Sequence, residues 1–241
     1  MANFNININL LFRPATGVLP TLEDLYQRLW RFAKLLEDKA GLSLSSWHPP
    51  APTEKDALGY LAFDGDGVTA DTIRLAHQYS NPQYADMPNG GAWNGKEGIG
   101  SAVFSTMYNP HGPSHTEFSA TEPVNLKNYP AVLDLVEGML QIWPALAVEV
   151  GSFKYSSQKQ VFPDRPGAGW MLYLPRRIEI EQVPEARMLR HVRDLNGTEG
   201  TIMVSEIDEL FSADNSDHVT VANQIEIRLA DQDLLPKYAD L

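Results

Sequence analysis

Asn3-Phe4-Asn5-Ile6-Asn7-Ile8-Asn9-Leu10-Leu11-Phe12 alternates polar and apolar residues, placing Phe4, Ile6, Ile8, Leu10 and Phe12 on one side. A period of two with one apolar face is the pattern of a strand covered on one side. Arg13-Pro14 ends it. The period then changes: Leu22, Leu25, Leu29, Phe32 and Leu36 recur at helical spacing. This predicts an amphipathic helix capped by Thr21, running through about Lys39 and stopped by Gly41.

Working outward, shorter helices are expected from Thr53 or Glu54 to Tyr60 and from Thr69 to Tyr79. Asn81 to Gly100 carries Pro82, Pro88, Asn89-Gly90-Gly91 and Asn94-Gly95, so it reads as a loop, with Tyr84, Met87 and Trp93 packing it down. Strands are expected at Ile99 to Met107, around Glu117, at Leu146 to Tyr155, at Trp170 to Leu174 and at Gly200 to Ser205. Between them fall helices at Asn128 to Trp143, with Pro130 in its first turn, and at Val183 to Leu189, begun by Pro184. A last helix runs from Asp217, its expected cap, to Leu229, with Val219, Ala222, Ile225 and Leu229 on one face. Strands and helices are mixed without βαβ regularity. The expected class is therefore α+β, a mixed, largely antiparallel sheet packed against several helices. There is no repeat of 20 to 50 residues and no low-complexity linker, so residues 1–241 are expected to share one core, any subdivision falling near 155–165.

The 241 residues contain no cysteine, which removes disulfides, thiolate nucleophiles and cysteine zinc sites and suits a reducing compartment. The start lacks the basic and apolar regions of a secretory signal, and no run reaches the roughly 18 apolar residues that span a bilayer. A cytoplasmic chain with no membrane partner is expected.

Acids outnumber bases by 31 to 19, and the excess is uneven. Residues 202–241 hold Glu206, Asp208, Glu209, Asp214, Asp217, Glu226, Asp231, Asp233 and Asp240 against Arg228 and Lys237, seven of the twelve excess negative charges. Residues 151–193 run the other way, with eight bases against four acids. An acidic surface repels phosphate, so direct nucleic-acid binding is disfavoured and a basic protein partner favoured.

Motifs for chemistry are sparse. His111-Gly-Pro-Ser-His115 has two imidazoles four apart, but Pro110, Gly112 and Pro113 prevent a regular helix, so a metal site would need Glu117 as a third ligand. Asp64-Gly65-Asp66-Gly67 resembles the start of a calcium loop, yet its twelfth position is Leu75, and a tight turn before a helix is the better reading. Neither a Gly-x-Ser-x-Gly elbow nor a phosphate loop occurs. Glu149, or the Asp164 and Arg165 pair, could serve acid-base work, but these are isolated groups that no spacing pairs. In Asp164-Arg165-Pro166-Gly167-Ala168-Gly169-Trp170 the choice lies between a contact through Arg165 and a turn whose glycines supply positive φ while Trp170 enters the core; the turn is preferred.

The run from Val161 to Arg176, which contains that motif, resembles a stretch of the immunity protein 52 family of bacterial polymorphic toxin systems. Val183-Pro184-Glu185-Ala186, Gly200 to Ser205, Asp217-His218-Val219, Ala222-Asn223, Ile225 to Leu229 and Asp231 to Pro236 resemble its C-terminal half. Phe12-Arg13-Pro14, Trp47 and Trp93-Asn94-Gly95 are similar to weaker markers nearer its start. Met203 and Lys237 stand where an aliphatic residue and an arginine are expected.

The resemblance implies a non-enzymatic immunity protein that neutralises a restriction-endonuclease-like nuclease toxin, often one delivered by type VI secretion, with no cofactor and no catalytic residues. In the expected mechanism carboxylates of the acidic segment meet the toxin's basic cleft around an apolar centre. The candidates are Asp208, Glu209, Asp214 and Asp217, then Asp231 and Asp233. Binding away from the toxin's active site is the alternative mechanism. The alternative functions are a small metal-dependent hydrolase using His111, His115 and Glu117, and an adaptor component of a secretion or phage-like assembly.

Overall fold

The computed structural model describes residues 4–14, 18–80, 86–123 and 125–241. Among the described residues it has eight strands, paired antiparallel, and six α-helices, an α+β fold. The chain divides into two compact units, Met1–Asn5 with Arg13–Leu126, and Ile6–Phe12 with Lys127–Leu241. Residues 155–165 lie inside the second unit.

The first unit carries α1 (Leu22–Ala40), α2 (Glu54–Leu58), α3 (Ala70–Tyr79) and a meander of β2 (Asn89–Trp93), β3 (Ala102–Met107) and β4 (Ser114–Thr121). Thr21 caps α1 by accepting from the Asp24 amide, and Gly41 stops it in the left-handed region at φ 67°. The stripe Leu25, Leu29, Phe32 and Leu36 is fully buried. Phe32 meets Phe104 and Phe118 edge-on at 5.2 and 6.0 Å, and Trp47 packs on Phe104 at 4.6 Å. This aromatic cluster is the core of the unit.

Strand β2 lies in the stretch expected to be loop. Its glycines are demanded by packing rather than by a turn. A Cβ at Gly90 would lie 2.7 Å from Leu25 of α1, and one at Gly91 would lie 2.5 Å from the Phe104 carbonyl oxygen. Tyr84, expected to pack this stretch down, lies outside the described residues. The expected turn at Asp64 is present: its Oδ1 accepts from the amides of Asp66 and Gly67, and Thr69 then caps α3.

In the second unit the strand order is β1 (Asn5–Phe12), β5 (Ala145–Gly151), β6 (Met171–Leu174), β8 (Glu199–Val204), β7 (Met188–Arg193), and its helices are α4 (Tyr129–Leu140), α5 (Phe153–Gln158) and α6 (Ser216–Asp231). Ile6, Ile8, Leu10 and Phe12 are fully buried while Asn7, Asn9 and Leu11 are not, as the opening alternation requires. All four residues of β6 are buried, so both of its faces are covered.

Three expectations are corrected here. The strand expected to reach Tyr155 ends at Gly151, because Ser152 accepts from the Tyr155 amide and starts α5. The helix expected at Val183–Leu189 is a pair of turns, Val183 N–H to the Ile180 carbonyl and Ala186 N–H to the Val183 carbonyl, followed by β7. Pairing of residues 188–193 with β8 outweighs their weak local preference. Asn215, not Asp217, caps α6, accepting from the Asp217 amide at 2.9 Å.

Candidate functional site

The acidic segment follows β8 directly and is built on buried supports. The Trp170 indole N–H donates to the Glu206 carbonyl at 2.9 Å, and the Ser205 hydroxyl donates to the Gly169 carbonyl at 2.6 Å. Glu206 Oε1 then accepts from the amides of Asp208 and Glu209, turning the chain. Buried His218 on α6 accepts the Ser212 amide at Nδ1, so its Nε2 carries the proton donated to Glu209 Oε1 at 2.9 Å. Phe211 stacks on the His218 ring at 5.8 Å.

The structure therefore gathers four of the six candidates. Asp208, Glu209, Asp214 and Asp217 are all exposed and lie on one hydrogen-bonded segment ahead of α6 and in its first turn. They are not equally free, since Glu209 is engaged by His218 and Asp214 is paired with Lys154. Asp231 ends α6 and Asp233 lies just past it, both exposed, at the far end of a helix of 16 residues that spans roughly 24 Å. They do not join the cluster.

Sequence reasoning missed Phe153. It is 73% exposed and precedes Lys154, whose ammonium group holds Asp214, so the most exposed aromatic among the described residues sits beside the acidic segment. No periodicity could reveal it, because residues 146–155 read as one strand in which Phe153 would alternate.

The glycine-rich run 164–170 takes the turn conformation. Gly169 has φ 46°, Trp170 is buried, and the Arg165 guanidinium donates to the Leu235 carbonyl. Two carboxylates hold the turn from beneath. Glu226 is fully buried and accepts from Tyr155 Oη at 2.6 Å and from the amides of Ala168 and Val161, each at 2.8 Å. Glu149 accepts from the Gly167 amide, Tyr238 Oη and Asn9 Nδ2. Burial pushes both carboxyls above the usual range, against the lowering effect of the hydrogen bonds. Every donor on them is spent on the fold, which makes them fasteners rather than acid-base groups.

The histidine-based reading gains no geometry. His115 and Glu117 share a face of β4, while His111 sits in the preceding turn with its amide on Asn109 Oδ1. Among the described residues no group of three His, Cys, Asp or Glu side chains is placed to hold a metal ion. None of their helices is long and apolar enough to cross a membrane.

No family model matches this chain, and no curated protein matches it. Among solved structures, the fold is similar to that of a Pseudomonas aeruginosa T6SS protein. The TM-score is 0.54 over 95% of this chain and 73% of that one, at 12% identity. The likeness at that identity is one of fold.

Proposed function

We propose that this chain is an immunity-type protein that binds a restriction-endonuclease-like nuclease toxin of a type VI secretion system and neutralises it stoichiometrically. The observation that carries the reading is the exposed carboxylate group Asp208, Glu209, Asp214 and Asp217, held on a rigid base beside exposed Phe153. A nuclease must present basic groups to phosphate, and a preorganised acidic surface with an apolar anchor can occupy them. The fold shared with a T6SS protein and the resemblance of residues 161–241 to the immunity protein 52 family support the same direction.

Surface carboxylates mainly steer association and set its salt dependence, while a desolvated aromatic sets the dissociation rate. Phe153 would thus form the centre and the carboxylates the rim. Co-expression with the toxin encoded next to it should rescue growth and yield a stable copurified complex. Absence of both rescue and binding overturns the reading. The adaptor reading is favoured by the same fold likeness, and it expects an assembly component rather than a toxin as partner.

A further inference from the structure

Trp93 closes β2 half-buried and lines two cavities. One, of about 480 Å³, lies over β2 and β3 and is walled by Trp93, Pro50, Val103, Met107 and His115. Its floor is bare at Gly91, where no Cβ fits against the Phe104 carbonyl. The other, of about 380 Å³, is lined by Trp93, Pro50, Thr53, Glu54 and Glu97. Trp93 and Pro50 border both, so the cavities adjoin across these two side chains. The ridge is fixed, because Trp93 exchanges backbone hydrogen bonds with His48 at 2.8 and 3.2 Å.

The two cavities differ in chemistry. The larger is mostly apolar, with Val103 47% exposed in its wall and Asn89, Ser105, Thr106 and His115 as its polar members. The smaller presents two exposed carboxylates, and among the described residues neither Glu54 nor Glu97 is held in an ion pair; the neighbouring Lys55 and Lys96 do not line it. We propose that these adjoining cavities dock an extended segment of a partner protein, with an apolar residue, proline foremost, in the larger and a lysine or arginine in the smaller. An aromatic-proline ridge suits a chain already extended, which loses little entropy on binding, and the two carboxylates select the cation. This surface shares no residue with the 206–217 segment, so it stands or falls apart from the toxin-binding reading.

The test is selection of a random dodecamer peptide library, displayed on phage, against the full chain. Enriched peptides should pair proline or another apolar residue with lysine or arginine. Ser105→Trp, which fills the larger cavity from an exposed strand position, should weaken them at least tenfold while the circular dichroism melt is kept. Glu54→Lys with Glu97→Lys should weaken basic peptides tenfold. The proposal is overturned if no peptide is enriched, if the enriched peptides lack a basic residue, or if folded Ser105→Trp binds them as well as the unaltered chain.

Discussion

The indole N–H of Trp170 donates to the backbone carbonyl of Glu206, 36 residues away, at 2.9 Å. That bond ties the end of the glycine-rich turn to the root of the acidic segment. The rigidity of the proposed binding surface therefore depends on a tryptophan that is itself buried.

Trp170→Phe removes the donor and leaves the Glu206 carbonyl without it. The loss is expected to cost about 1–3 kcal/mol, read as a lower urea midpoint with an unchanged slope. Faster hydrogen exchange should follow across residues 206–215. Unchanged exchange there would mean that the bonds of Ser205, Glu206 and His218 hold the segment without the indole.

Glu226→Ala leaves the amides of Ala168 and Val161 without their acceptor and Tyr155 Oη with Asn223 Oδ1 in place of two acceptors. At about 1–3 kcal/mol for each unsatisfied buried group, it should be the most destabilising single carboxylate truncation in the chain. Truncating exposed Asp208 should move the unfolding midpoint little, and equal effects of the two would contradict the fastener role.

Glu226 also sets a pH dependence. Its folded pKa is raised, so the native state binds the proton more tightly than the unfolded chain does. The associated stability is full below the unfolded pKa of about 4.3 and is lost as pH rises through the folded value. The stability difference between the unaltered protein and Glu226→Gln should therefore shift against the unaltered protein as pH climbs from 4 to 7. A difference that grows in its favour over that range would contradict the sign.

Charge reversal at Asp208 and Asp217, with Phe153→Ala tested separately, should separate rim from centre. Reversal should slow association and flatten its salt dependence, whereas Phe153→Ala should speed dissociation roughly tenfold. Reversal at Asp231 and Asp233, a helix length away, carries the same charge change and should alter binding less. Equal effects at both ends would mean that only net charge matters.

Gly91→Ala places a Cβ 2.5 Å from a backbone oxygen, whereas Gly90→Ala meets the movable ends of Leu25 and Tyr26 first. The first should lower the melting temperature more than the second. The reverse order would mean that β2 shifts more readily than the α1 side chains repack.

The sequence by itself determined β1 and α1, because each writes its burial into a single period and each end carries its own signal: Pro14 for the strand, Thr21 and Gly41 for the helix. It also placed α4 within a few residues through Asn128 and Pro130, and the acidic excess of residues 202–241 could be read directly. Only the tertiary structure decided β2, whose Asn-Gly-Gly reads as a turn until the close approach of α1 and Phe104 explains both glycines. Likewise, residues 188–193 became a strand because β8 offered a pairing edge, which no local propensity encodes. The site divides in the same way. Carboxyl charge is a property of composition, but which carboxylates stand together depends on the length of α6 and on the hydrogen bonds of His218 and Trp170. Phe153 is exposed only because Ser152 ends a strand that its own side-chain pattern would have continued.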